Sequence, residues 1–242
     1  WFNSDIMKES INYYYNFMPH DTGSITKYDL IYIGKNRIIL VCPSLLDGEV
    51  PDYVHYDNII ETFLDSKKWL RQMNVPYLSD MNDLVSHSKI KNFMEANELI
   101  FNESILKVAQ DIMSRREVKI VLIAGPSSSG KTTTTKRLST HLRAKGFEPI
   151  CISTDDFFVD REQTPKNEAG DFDFECLQAI DLELFNKTLI NLLKGKEVEM
   201  PEYNFVNGKK EYNNTYLKLN KNSIILIEGL HCLNDDLVPY IK

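Results

Sequence analysis

The run Gly125-Pro126-Ser127-Ser128-Ser129-Gly130-Lys131-Thr132 has the spacing GxxxxGK[ST] of a phosphate-binding loop. Its glycines let successive backbone N–H groups curl around phosphate oxygens, and a helix starting at its end adds the positive end of its dipole. The Lys131 amine then reaches the β- and γ-phosphates, and the Thr132 hydroxyl ligates Mg²⁺. Gly125 to Thr132, with Thr133 beside them, therefore form the expected triphosphate-binding segment. Two acids could join them. Asp155 follows the run Pro149 to Ser153, and Glu228 follows Ile224 to Ile227. If both runs are strands of one parallel sheet, both carboxylates emerge at the edge that carries the loop. A carboxylate there can hold Mg²⁺ with Thr132, or accept the proton of a hydroxyl that attacks the γ-phosphate. Asp156 reads as a solvated or capping neighbour, and Arg161, six residues past Asp155, as a polar-loop residue within reach of a phosphate or sugar.

The elements that must position these groups can be read from hydrophobic pattern. Val118 to Ala124 is a nearly all-apolar run of the kind buried on both faces in a parallel sheet. It leads through the loop into a helix reaching about Lys145, with Gly146 as its stop. Pro149 to Ser153 reads as a strand, the stretch to Gly170 as a long polar connection, Asp181 to Leu193 as a helix, and Ser223 to Ile227 as another buried strand. Ahead of them, Phe101, Ile105, Val108, Ala109, Ile112 and Met113 stripe a helix beginning near Asn97, with Asn102 or Ser104 near its start and Arg115 and Arg116 at its end. This alternation predicts an α/β fold, a P-loop NTPase parallel sheet flanked by helices. Residues 1–95 read as a smaller α+β domain, and 96–242 as the P-loop domain. In the first, Leu30 to Ile33 and Arg37 to Cys42 form a hairpin around Gly34, Lys35 and Asn36. Ile59, Ile60, Phe63, Leu64, Trp69 and Leu70 fall at helical spacing ahead of Pro76.

Composition narrows the functions. Of 242 residues, 28 are Lys or Arg and 35 Asp or Glu, a net charge of −7, which argues against a nonspecific nucleic-acid binder. The apolar runs are far shorter than a membrane span needs. Cys42, Cys151, Cys176 and Cys232 form no CxxC pair and read as buried, reduced thiols, which makes a cytoplasmic location the expectation. His20, His55, His87, His141 and His231 lack zinc-ligand spacing and read as loop or surface residues. Trp69 and the Tyr13 to Tyr15 cluster read as packing of the first domain.

Four segments in order carry a family likeness. Ile123-Ala124-Gly125-Pro126-Ser127-Ser128-Ser129-Gly130-Lys131-Thr132, Ser153-Thr154-Asp155-Asp156-Phe157-Phe158, Pro201-Glu202-Tyr203-Asn204-Phe205 and Ile227-Glu228-Gly229-Leu230-His231 resemble the uridine kinase and phosphoribulokinase family of P-loop kinases. The likeness is to a branch in which the kinase domain follows a region related to threonyl-tRNA synthetase amino-terminal domains, which would account for residues 1–95. It implies transfer of the γ-phosphoryl of ATP, with Mg²⁺, to a primary hydroxyl, in uridine kinases the 5′-hydroxyl of uridine or cytidine. By position, Asp155 matches the acid that deprotonates the acceptor and helps hold Mg²⁺, Glu228 the second magnesium-linked acid, and Asp173 the acid that contacts sugar hydroxyls. Phe158, Phe172, Tyr203 and Phe205 match aromatic residues around the base. Lys131 and Asp155 are thus the expected catalytic pair. Two departures stand out. The family's base-reading histidine is replaced by a glycine near position 208, and the sequence stops at Lys242 ahead of the family's arginine-rich lid, so a kinase domain truncated at its carboxyl end is expected. Three readings stay open at this level. They are a nucleoside kinase, a kinase of another hydroxylated metabolite such as a pentose phosphate or a pantothenate-like alcohol, and a nucleotide-dependent regulatory or RNA-linked module; a homo-oligomer is compatible with each.

Overall fold

A computed structural model describes residues 3–7, 10–14, 23, 26–34, 37–44, 47–54, 57–115, 117–167 and 169–240. Lys35, Asn36, Tyr15, His20, His55 and Arg116 lie outside them, as do the side chains of Tyr13, Tyr14 and Ile59. The chain forms two compact units, Trp1–Met81 and Asn82–Lys242. The first holds two antiparallel pairs, β1 (Asn3–Met7) with β2 (Ser10–Tyr14) and β3 (Asp29–Tyr32) with β4 (Ile38–Val41), followed by α1 (Asp57–Gln72). The division falls within α2 (Leu78–Ser86), and residue 95 lies inside the long helix α3 (Ile90–Ser114).

The second unit is built on a parallel sheet ordered β5-β9-β6, from β5 (Ile120–Ala124), β6 (Glu148–Ser153) and β9 (Ser223–Gly229). Side chains alternate across a strand, so β9 feeds two cores. Ile224 and Leu226 pack with Ile105, Ala109 and Ile112 of α3 and with Leu138 and Leu142 of α4 (Lys131–Arg143). Ile225 and Ile227 face the other way, onto Phe157 and onto Phe185, Leu189 and Leu192 of α5 (Leu182–Leu193). Phe157 and Phe185 are fully buried and meet edge to face with centroids 5.0 Å apart. Burying a side chain of this size contributes about 2 kcal/mol. No described helix is long and apolar enough to cross a membrane.

The strands and helices that bury an apolar face stand where pattern places them. Three features differ. The helix α3 starts at Ile90, ahead of Asn97; its first turns bury no side chain and its N-cap, Lys89, makes no side-chain cap, so neither an apolar stripe nor a capping residue marks the start. Asn102 and Ser104 sit mid-helix instead, Asn102 accepting from Arg137 Nη1 at 2.9 Å and Ser104 donating to the Ile100 carbonyl at 3.0 Å. Past α5 the chain makes an antiparallel hairpin, β7 (Val198–Asn204) with β8 (Lys209–Leu217), whose outer strand is too polar to show as an apolar run. The four cysteines are free, but only Cys232 is buried; Cys151 is exposed because β6 is an edge strand.

Two contacts fix how the hairpin joins the core. Lys210 of β8 forms a salt bridge with Asp181, whose other carboxylate oxygen caps α5 by accepting from the Leu184 N–H at 3.0 Å. Burial works to raise the Asp181 carboxyl, and the hydrogen bond and charge of Lys210 together with the Leu184 N–H override it, holding the group below the ordinary 3.8. A depressed carboxyl contributes stability that is complete above its unfolded value and is lost as pH falls through its folded value. Asp181→Asn keeps a capping oxygen and removes the charge, so it should cost about 1 kcal/mol at pH 7. Thermal unfolding followed with falling pH should show the gap from the parent closing as pH drops below 3.8; a gap independent of pH contradicts this.

In the turn of the hairpin, Gly208 has φ +70° and its carbonyl accepts from the Arg161 N–H at 2.8 Å. A Cβ there would stand 2.7 Å from Arg161 Cβ and 2.9 Å from its Nε, so the close approach of Arg161 requires the glycine. Gly208→Ala should lower stability by about 1–3 kcal/mol in urea unfolding. Adding Arg161→Gly, which removes both the Cβ and the Nε of that side chain, should recover only the steric part, since the positive φ persists; full additivity of the two losses contradicts the contact.

Candidate active site

The phosphate loop closes between the end of β5 and the start of α4. Gly130, at φ +88°, is the N-cap of α4, a backbone state that glycine adopts without penalty. The Thr134 N–H bonds back to the Gly130 carbonyl at 2.9 Å, so the N–H groups before it, at the first turn of α4, have no partner within the helix and form an anion-binding end. Within the loop the Ser129 N–H donates to the Pro126 carbonyl at 3.2 Å, and Lys131 Nζ donates to the same carbonyl at 3.0 Å. Thr132 and Thr133 are exposed on the first turn of α4, and Ser127 and Ser128 on the loop.

The central strand brings the acids to this end. Parallel pairing sets Ser153 of β6 beside Glu228 of β9, and Ala124 of β5 beside Gly229. Thr132 Oγ1 lies 2.9 and 3.0 Å from the two carboxylate oxygens of Glu228 and donates its single proton to that group. Two residues past Ser153, Asp155 is carried on a 3₁₀ turn, Thr154–Phe157, whose N-cap Ser153 Oγ accepts from the Asp155 N–H at 3.2 Å. Phe157 anchors the turn in the core, so Asp155 projects to solvent at the functional edge. Asp156 is the exception to its sequence reading. It is half-buried against a second recess bordered by Cys151, Met200, Glu202 and Asn213. Burial first, then the charge of Glu202, pushes its carboxyl up to about 6, against the pull of the Tyr203 N–H.

A cleft of about 230 Å³ is bordered by Ser127, Lys131, Asp155, Phe158, Phe174 and His231. Lys131 and Asp155, far apart in sequence, therefore face one space. The aromatic residues gather beside it. Phe158 meets Phe174 at 5.7 Å, Tyr203 at 5.5 Å and Phe205 at 6.3 Å between centroids, and Tyr203 meets Phe205 at 5.1 Å. Tyr203 is buried within this cluster, while Phe205 is 60% exposed. Phe172 stands further out, 6.4 Å from Phe174 and under the Lys166 amine. Asp173 turns its carboxylate to the Glu175 N–H at 2.9 Å, and Arg161 donates through Nη2 to the Phe205 carbonyl at 2.5 Å; neither borders the cleft. Phe174 was not singled out from sequence, and His231, which closes the segment Ile227 to His231, was read only as a loop or surface residue.

The donor set suits a hard cation. A hydroxyl and a carboxylate at hydrogen-bond distance, with Asp155 nearby, match the oxygen ligands of Mg²⁺. No group of three or more His, Cys, Asp or Glu among the described residues is placed to hold a metal, so Mg²⁺ here would share its ligands with phosphate oxygens, its usual habit in phosphoryl transfer. The Cys232 thiol, pushed up to about 11 chiefly by burial, is protonated at neutral pH and is no nucleophile for this site.

Residues 120–240 match the sequence model of the phosphoribulokinase / uridine kinase family. The chain is 32% identical over 124 residues to a uridine kinase of Schizosaccharomyces pombe, covering 50% of this chain and 26% of that protein. It is 33% identical over 118 residues to a uridine kinase of Vibrio vulnificus, covering 48% and 54%. It thus spans about half the length of the bacterial relative and about a quarter of the yeast one. The solved structure of a possible uridine kinase from Bacillus stearothermophilus aligns over 58% of this chain and 77% of that one, with 24% identity and a TM-score of 0.48. The family match runs from β5 to beyond β9 and takes in the phosphate loop, Asp155 and Glu228: the chain belongs to the phosphoribulokinase / uridine kinase family.

Proposed function

We propose that this protein is an ATP-dependent nucleoside kinase that phosphorylates the 5′-hydroxyl of uridine or cytidine. The observation that carries the reading is the meeting of Lys131, Asp155 and Phe158 around one cleft, with the Thr132–Glu228 pair beside it. Family membership, and relatives that are uridine kinases, support it. The backbone N–H groups of Ser127 to Thr132 would cradle the triphosphate, and the Lys131 amine would leave the Pro126 carbonyl for a phosphate oxygen. Thr132, Glu228 and Asp155 would hold Mg²⁺, which supplies charge neutralisation at the phosphates. Asp155 would accept the proton of the acceptor hydroxyl as its oxygen forms a bond to the γ-phosphorus and the bond from that phosphorus to the β-bridging oxygen breaks, leaving ADP. Phe158, Phe174 and the exposed Phe205 would offer aromatic faces to a base, with Phe172 and Asp173 at the outer side. Most of the rate would come from alignment of hydroxyl and γ-phosphate. Residues 1–95 would be an accessory, synthetase-like region of a cytoplasmic enzyme.

One observation favours a second acceptor class, a phosphorylated one such as a pentose phosphate. The Arg161 side chain fills the space over Gly208, where the family likeness places a base-reading histidine, and no carboxylate among the described residues pairs with it. ADP release from Mg·ATP, measured across nucleosides, pentose phosphates and other alcohols, separates the two. Stimulation by uridine or cytidine supports the first reading, stimulation by a phosphorylated sugar alone the second, and ATP binding with no stimulation a regulatory module. Lys131→Ala should abolish productive ATP binding. Asp155→Asn should keep ATP affinity and lower turnover at least about a hundredfold; unchanged turnover contradicts a base at Asp155.

A further inference from the structure

We propose that His231 is a positioning residue that locks the loop of residues 171–176 onto the carboxyl end of β9. What that loop does for the reaction rests on the kinase reading; the lock itself does not. His231 follows Glu228 by three residues and borders the cleft together with Lys131, Asp155 and Phe174. Its Nε2 lies 2.8 Å from the Glu175 carbonyl oxygen. A carbonyl can only accept, so Nε2 carries the hydrogen and donates it, which fixes the tautomer of the neutral ring.

The loop is shaped by its own bonds. The Asp173 N–H donates to the Pro165 carbonyl at 2.7 Å, the Glu175 N–H to Asp173 Oδ1 at 2.9 Å, and Cys176 Sγ to the Asp173 carbonyl at 3.2 Å. These join the loop to itself and to the polar connection before it, whereas the His231 bond ties it to the end of the central strand. The tie sets Phe174 against Phe158 at the cleft wall and fixes the position of Asp173 relative to Asp155 and Glu228. His231 is partly exposed at this wall, unlike the neighbouring Cys232, so its ring is not core filling. A side-chain hydrogen bond across 56 positions of sequence thus joins the acceptor side to the phosphate side, beside the packing of Phe174 on Phe158.

The test compares the whole protein with His231→Ala and His231→Gln, the second keeping an N–H donor. Amide hydrogen exchange of residues 171–176 should speed up about tenfold in His231→Ala and return to the parent rate in His231→Gln. In steady-state transfer from Mg·ATP to uridine, His231→Ala should raise the uridine KM about tenfold while the ATP KM and kcat stay within about twofold, with rescue by His231→Gln. Parent-like exchange in His231→Ala, a parallel rise of both KM values, or failure of glutamine to restore either readout overturns the proposal. If the parent transfers nothing to uridine, the nucleoside-kinase reading fails on its own and the exchange rates alone decide the lock.

Discussion

The pairing of β9 between β5 and β6 is the constraint on which the rest of the P-loop unit depends. A parallel sheet puts all its carboxyl ends on one side, so the loop after β5, the turn after β6 and the acid at the end of β9 must share an edge. The strand at the centre is buried on both faces, and a one-residue slip would send Ile224 and Leu226 into the core meant for Ile225 and Ile227. Hydrophobic packing thereby fixes the register, and the register sets Glu228 within reach of Thr132. Chemistry at the edge is positioned by apolar surface that never touches it.

The turn Thr154–Phe157 shows the same economy over four residues. Phe157 is driven fully into the core, and the tight turn then leaves Asp155 facing solvent while Asp156 is drawn into a half-buried recess near Glu202. Two adjacent aspartates thus meet different surroundings for a purely geometric reason. Asp155 faces the same cleft as Lys131, whereas Asp156 is held protonated to higher pH, chiefly by burial. The hairpin of β7 and β8 completes the arrangement by setting Tyr203 and Phe205 edge to face against Phe158, with Gly208 left bare so that Arg161 can lie across it.

Much of this was legible in the residues. The phosphate loop announces itself by spacing, and β5, β6, β9 and α5 by apolar runs that can only be buried. The rest escaped because its signals are not apolar. The first turns of α3 bury no side chain and are uncapped, and β8 is mostly exposed, so neither shows as a buried apolar face. The exposure of Cys151 follows from the position of β6 at the sheet edge, which a single strand cannot declare. His231 bonds to a backbone carbonyl, and a carbonyl carries no residue type to be read. Gly208 looks like a lost side chain in sequence and becomes, in three dimensions, the room that Arg161 occupies.

The central claim is that Thr132 and Glu228, joined by β9 and α4, act as one magnesium-holding unit at the phosphate loop. Calorimetric titration of ATP with and without Mg²⁺, into the parent, Thr132→Val, Glu228→Gln and the double variant, tests it most directly. The account predicts that Mg²⁺ strengthens ATP binding in the parent, that each single variant loses most of that gain, and that the double variant loses little more than either. Full retention of the Mg²⁺ gain in either single variant, or losses that simply add in the double, would contradict it.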